Sequence, residues 1–346
     1  MANDIYYIGA NDEHGVNPPT PGKRTPVVPG LERQIYENEF NRAAKNKFIE
    51  ALMRNSFSVY DVKPELNDIT ISERVRRINR QNLTALVTFA YNAFGDGNSF
   101  NSASGFEVFY STQNPKSQQS QQLATDIYNN LLAGTQQNGR GVKVLNDAGV
   151  LSRVNCTSVL IEAGFMTNLR EAGLMINPLF QTEVGEESCM GVCQFLNTTY
   201  IDRNNLANYQ TLRNGSRGNF VFLVQFLLNQ LGENLVVDGV FGRNTENAVR
   251  RFQQENSLTV DGIVGANTWR TLLTLPQYPI LKLNFRGNYV RFLQKLLESK
   301  FIPVGTIDGI FGQKTENAVK QFQEQNSLTV DGIVGPNTWA TITNLQ

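Results

Sequence analysis

The sequence predicts an α/β fold, a largely parallel sheet flanked by helices, followed by two small three-helix modules. Two observations carry that expectation. Strand-like and helix-like segments alternate over residues 1 to about 200, and the last third of the chain contains one module written twice. A length of 346 residues suits two or three domains, and 40% hydrophobic residues is enough to fill ordinary cores.

In chain order, Ile5 to Ile8 reads as the first strand. Ile35 to Met53 reads as a helix, because Phe40, Ala44, Phe48, Ile49 and Leu52 recur at helical spacing. Phe57 to Val62 is strand-like, Ile71 to Ile78 helical, and Ala85 to Ala90 apolar enough for a buried strand. Phe106 to Tyr110 is a further strand, Gln118 to Leu132 a helix, Val159 to Ala163 a strand, and about Pro178 to Leu196 helical. Strands separated by helices favour parallel pairing. The Asn- and Arg-rich stretch from Ile201 to Ser216 reads as a linker.

The repeat starts at Asp238, where DGVFGRNTENAVRRFQQENSLTVDGIVGANTWRTL returns from Asp308 as DGIFGQKTENAVKQFQEQNSLTVDGIVGPNTWATI, identical at 25 of 35 positions. The register extends upstream, RGNFVFLVQFLL from Arg217 matching RGNYVRFLQKLL from Arg286. Each copy reads as an apolar helix, an Asp-Gly turn, a helix with Thr245 at its N-cap, a second Asp-Gly turn, and a short helix with Asn267 as N-cap candidate and Trp269 in the core. The repeated rings Phe241, Phe311, Trp269 and Trp339 are expected in the cores, leaving Asn and Gln side chains around the helices for ligand contact.

Charge excludes one class of partner. Lysine plus arginine equals aspartate plus glutamate, 31 against 31, with no basic block, so a nucleic-acid footprint is missing. No apolar run approaches a membrane span, and the N-terminus lacks the basic and apolar regions of a signal peptide, which predicts synthesis in the cytoplasm. Cys156, Cys189 and Cys193 are too few and odd in number for a disulfide framework, and buried reduced thiols are expected.

Sites in open α/β sheets collect beyond the carboxyl ends of strands. Four positions fall there: His14 after the first strand, Glu37 opening the first long helix, Ala90 ending a central strand and Glu162 ending another. His14, the single histidine, would by itself be an ordinary solvent or core residue, and Glu37 a first-turn glutamate favoured by the helix dipole. Glu162 resists so plain a reading, because a carboxylate in an apolar strand is costly to bury without a partner.

Taken in order, EHGVNPPTPGKRTP from Glu13, ENEFN from Glu37, TFAYNAF from Thr88 and SVLIEAGFMTN from Ser158 resemble the zinc-dependent N-acetylmuramoyl-L-alanine amidases of the cell-wall-hydrolase type. The twin modules resemble the three-helix peptidoglycan-binding domain. The resemblance divides the chain into a zinc amidase catalytic domain at 1–200, a linker at 201–216, and peptidoglycan-binding repeats at 217–276 and 282–346. It implies bacterial peptidoglycan as partner, Zn2+ as cofactor, His14 and Glu37 as metal ligands, Glu162 as the catalytic glutamate, and cleavage of the amide between the lactyl group of N-acetylmuramic acid and L-alanine. It also implies action on the bacterial wall after release through a holin pore or by lysis, as in a phage endolysin or an autolysin. The Gly22 to Pro26 segment is either an exposed turn or part of the substrate cleft.

At one position the chain departs from the pattern. Where the family has its second histidine, this sequence has Ala90, which offers no donor atom. If a full zinc site contributes on the order of 10 kcal/mol or more, one ligand of three is responsible for roughly 3 kcal/mol, about a hundredfold in affinity. The expectation is therefore a chain inactive or nearly so. Two accounts remain open: a histidine-to-alanine change in an otherwise competent enzyme, or a non-catalytic peptidoglycan-binding protein on an amidase fold.

Overall fold

The computed structural model describes residues 6–15, 22–29, 33–65, 67–135, 137–203, 205, 209–231, 233–274, 281–285, 288–326 and 328–342. The chain forms two compact units, residues 1–203 and 204–346.

The first unit is built on six strands, β1 (Tyr7–Asp12), β2 (Ser58–Asp61), β3 (Ala85–Asn92), β4 (Phe106–Tyr110), β5 (Gly139–Val144) and β6 (Thr157–Phe165). They lie in the order β2-β1-β3-β6-β4-β5. The β2, β1, β3 and β6 pairings are parallel, whereas β4 runs antiparallel to β6 and parallel to β5. The sheet is thus mixed and mostly parallel, and its central strands β1, β3 and β6 are buried almost throughout, as expected of strands covered on both faces.

Helices α1 (Glu37–Arg54) and α3 (Ser117–Gly134) pack on the sheet, and α6 (Pro178–Phe195) packs against both. Helix α1 seats Phe48 against Phe89 of β3 and Phe40 against Tyr91, rings 5.4 and 4.8 Å apart. Helices α2 (Ile71–Asn79) and α4 (Gly149–Ser152) pack together over a separate apolar cluster holding Ile78, Leu86, Ala90, Val150 and Leu160. A short α5 (Leu169–Met175) follows β6.

Several expectations shift. Ile5 lies outside the described residues, and β1 continues to Asp12. Strand β6 runs to Phe165, so Glu162 stands inside it rather than at its end. Nothing in GRGVKV predicts β5, since glycine and alternating charge weaken the pattern; it is a half-exposed edge strand. The segment expected as a linker is packed at both ends. Arg54 Nε donates to the Ile201 carbonyl at 2.8 Å, and Tyr209 stacks with Trp269 and Phe220.

The second unit contains α7 (Asn219–Gln230), α8 (Arg243–Glu255), α9 (Ala266–Thr274), α10 (Asn288–Ser299), α11 (Gln313–Gln325) and α12 (Pro336–Ile342). Trp269, Trp339, Phe241 and Phe311 are buried, each in the core of its own repeat. Thr245 is not an N-cap: α8 starts at Arg243 after Gly242, and the Thr245 hydroxyl instead accepts from Gln225 Nε2 at 3.2 Å. Asn267 likewise lies inside α9, whose first backbone bond runs from Trp269 to Gly265.

One clasp recurs at every Asp-Gly turn. Gln225 Nε2 bonds Asp238 Oδ1, the Val240 carbonyl and Thr245 Oγ1, while its Oε1 accepts from Gly239 N. Gln253, Gln294 and Gln323 repeat this on Asp261, Asp308 and Asp331. The turn glycines all take positive φ, 70° at Gly239 and 72° at Gly262, a region where a side chain would be strained. Each module is therefore two half-modules of helix, clasp and helix start.

Candidate active site

The carboxyl ends of β1, β3 and β6 bring His14, Glu37, Ala90 and Glu162 together. Glu37 opens α1, and its amide donates to the Lys23 carbonyl at 3.0 Å, so the Gly22 to Pro26 segment holds the start of the helix. Glu37 is 1% exposed. Its Oε1 accepts from Asn41 Nδ2 at 3.0 Å and from the amide of Tyr91 at 3.1 Å. The latter bond ties the carboxylate to β3 at the residue following Ala90. Glu37 Oε2 stands 3.3 Å from His14 Nε2 and 4.0 Å from Lys23 Nζ.

Across the β3–β6 ladder Ala90 pairs with Glu162. Paired residues of parallel strands project to the same face. On the other side of β6, Glu162 pairs with Glu107 of β4, whose charge is met by Arg140 and Lys143. Glu162 Oε2 is out of water and without a hydrogen-bond partner among the described residues. Burial pushes the Glu162 carboxyl well above the usual carboxylate range, and the Glu37 charge adds to this against a partial offset from Lys23. Burial also disfavours ionised Glu37, but the hydrogen bond and charge of His14, with Lys23 and Asn41, outweigh it and leave its pKa lowered. The two carboxyl groups are thus shifted in opposite directions.

His14 takes a left-handed backbone, φ 64°. Lys63 Nζ donates to its carbonyl at 2.8 Å and lies 3.3 Å from Asp12 Oδ2. Asp12, fully buried, also meets Lys45 at 2.8 Å and Arg42 at 3.0 Å. This ion cluster fixes the loop that carries His14. Sequence reasoning missed it, because lysines spaced along different elements give no local pattern. It also missed Glu13, which is 8% exposed and has its pKa raised by burial against the opposing charges of Arg74 and His14. Phe94, in the loop after β3, is 63% exposed, and its amide donates to Thr167 Oγ1 at 3.0 Å.

The donor set does not complete a catalytic zinc shell, which takes three protein ligands and keeps one place for water. His14 Nε2 and Glu37 Oε2 converge, but Ala90 is 3% exposed and presents a methyl group to the apolar cluster of Leu86 and Leu160. Among the described residues no group of three or more His, Cys, Asp or Glu side chains is arranged to hold a metal ion. Cys156, Cys189 and Cys193 are free and buried, as expected.

Comparison with known proteins adds two matches along the chain. The family model described as N-acetylmuramoyl-L-alanine amidase matches residues 14–194, and the one described as putative peptidoglycan binding domain matches 217–272 and 286–342. The N-acetylmuramoyl-L-alanine amidase CwlM of Mycobacterium tuberculosis is 36% identical over 114 residues, 31% of this chain and 28% of that protein. CwlL of Bacillus licheniformis, an amidase of the same description, is 31% identical over 119 residues, 32% of each. The chain therefore spans under a third of either relative. An N-acetylmuramoyl-L-alanine amidase structure from Clostridium difficile 630 superposes with a TM-score of 0.49 at 25% identity, covering 57% of this chain and all of that one.

Proposed function

Since the chain belongs to the N-acetylmuramoyl-L-alanine amidase family, a family generally dependent on zinc, we propose that it acts at the bacterial cell wall. Its substrate is peptidoglycan, and its reaction class is hydrolysis of the amide between the lactyl group of N-acetylmuramic acid and L-alanine. Glu162 is the proton-handling group of this reading, taking a proton from water and returning one to the leaving amine. His14 and Glu37 are the metal ligands, held by Lys63 and Asn41. The two modules keep the chain on its polymer, since linkage makes the second binding event intramolecular.

One observation carries the reading: Ala90 stands beside Glu162 in the ladder, with Glu37 bonded to the next residue of the same strand. Ala90 thus borders both acidic residues along the strands and carries no donor atom. In this reading the chain as it stands turns peptidoglycan over slowly or not at all. The same residue favours a second reading, a wall-binding protein that keeps the amidase fold as a recognition surface.

The test compares purified walls incubated with this chain and with Ala90→His, zinc present, scoring free amino groups of L-alanine. The first reading expects release by the histidine variant alone. A folded, zinc-loaded variant that releases nothing would leave the binding-protein reading; full activity of the Ala90 chain would remove Ala90 from the ligand set.

A further inference from the structure

Helix α10 ends in a turn whose chemistry calls for glycine. Phe301 N donates to the Glu298 carbonyl at 2.9 Å and Ile302 N to the Leu297 carbonyl at 3.0 Å. This is the Schellman pattern, in which the residue after the cap adopts the left-handed conformation and is usually glycine. Ile302 and Leu297 are buried in one cluster, which locks the turn. The first repeat makes the same bond from Glu233 N to the Leu228 carbonyl, and its sequence has Gly232 seven past Gln225. Seven past Gln294, the second repeat has Phe301.

Phe301 has φ 61° and is 95% exposed. Its Cβ is crowded against its own backbone, and its ring, left in water, returns nothing to the fold. Among the described residues six non-glycines have positive φ; Ser56, Asn197, Ser257 and Asn284 are small or amide side chains, which tolerate it. The two with rings are His14, in the candidate active site, and Phe301. Backbone strain that survives at an exposed large apolar side chain points to a contact outside the chain.

We propose that Phe301 is a glycan-stacking residue of the second repeat, its ring lying on the C–H face of a pyranose in the wall polymer. A ring without charge matches that apolar face and offers nothing to the ionised groups of a stem peptide. The inference rests on the peptidoglycan reading above and adds an asymmetry: the two repeats are not equivalent binders, and the second holds the sugar.

The experiment measures co-sedimentation of the full chain with purified peptidoglycan, together with thermal melting. Phe301→Gly is expected to raise the Tm of the C-terminal unit by about 4 °C and to weaken wall binding about fivefold. Phe301→Tyr should bind as the unaltered chain does. A soluble oligosaccharide of β-1,4-linked N-acetylglucosamine should compete. If the unaltered chain sediments and Phe301→Gly sediments equally, this inference fails while the wall-binding reading stands. Competition by free stem peptide but not by the oligosaccharide also overturns it. If the unaltered chain does not sediment, both fall.

Discussion

Ala90 and Glu162 are register partners in the β3–β6 ladder, so a methyl group borders a carboxylate whose Oε2 is buried without a hydrogen-bond partner among the described residues. The amide of Tyr91 still holds Glu37, Asn41 still bonds it, and Lys63 still fixes the backbone of His14.

Restoring an imidazole at that place should restore metal affinity before anything else. Zinc titration calorimetry is expected to give Ala90→His about a hundredfold tighter binding than the unaltered chain. Adding Glu37→Gln to that variant should abolish the gain. Equal affinity of the unaltered chain and the Ala90→His variant would show that the imidazole is not a ligand.

Asp12 is the anion around which Lys45, Lys63 and Arg42 gather. Asp12→Asn takes the counter-charge from buried Lys63 and one of two from Lys45, which keeps Asp61 at 2.8 Å, and should cost about 3 kcal/mol in urea unfolding. Burial opposes the ionised Asp12, but the three cations outweigh it, so the folded-state pKa lies below the ordinary 3.8. A depressed carboxylate contributes stability above its unfolded pKa and loses it as pH falls through the folded one. Acid unfolding below 3.8 should therefore be shallower in the Asn variant.

Glu187 of α6 has the opposite sign. Its carboxylate is buried against the C-terminal turn of α3, where a Cβ on Gly134 would overlap it, and its Oε2 has no hydrogen-bond partner among the described residues. Burial, with the nearby Glu183 charge, pushes its pKa up from 4.5 to about 9. The stability linked to the neutral form is complete below pH 4.5 and is lost as pH rises toward about 9. Glu187→Gln should match the unaltered chain below pH 4.5. At pH 7 it should be more stable, by on the order of 2 kcal/mol. Denaturant midpoints measured across this range check the crossing; a constant offset at all pH values would contradict it.

The clasp glutamines make a prediction about equivalence. Gln225→Ala and Gln294→Ala each strand a buried glycine amide and remove a donor from a threonine hydroxyl, so each should lower unfolding stability by about 2–4 kcal/mol. Gln253→Ala and Gln323→Ala should fall in the same range, because they close the same turn in the other half-modules. A negligible effect at any one of the four would separate that half-module from the rest.

The sites of His14, Glu37, Ala90 and Glu162 were legible because each lies in a short motif whose members are neighbours in sequence. Asp12, Lys45 and Lys63 were not, since their relation is made by β1, α1 and the loop after β2 meeting in space. The N-caps expected at Thr245 and Asn267 fail for a related reason. Threonine and asparagine are good caps in isolation, but here a glutamine from another helix takes the Thr245 hydroxyl, and Gly242 and Gly265 stand before the helix starts.

By itself the sequence determined the α/β class, the doubled module and the absence of a donor at position 90, because periodicity, repetition and residue identity are local properties. Only the tertiary structure decided that β4 runs against β6, that Asp12 is the hub of three cations, and that Phe301 stands strained and in water. Strand direction, charge pairing and exposure depend on which distant segments become neighbours, and that is settled by packing.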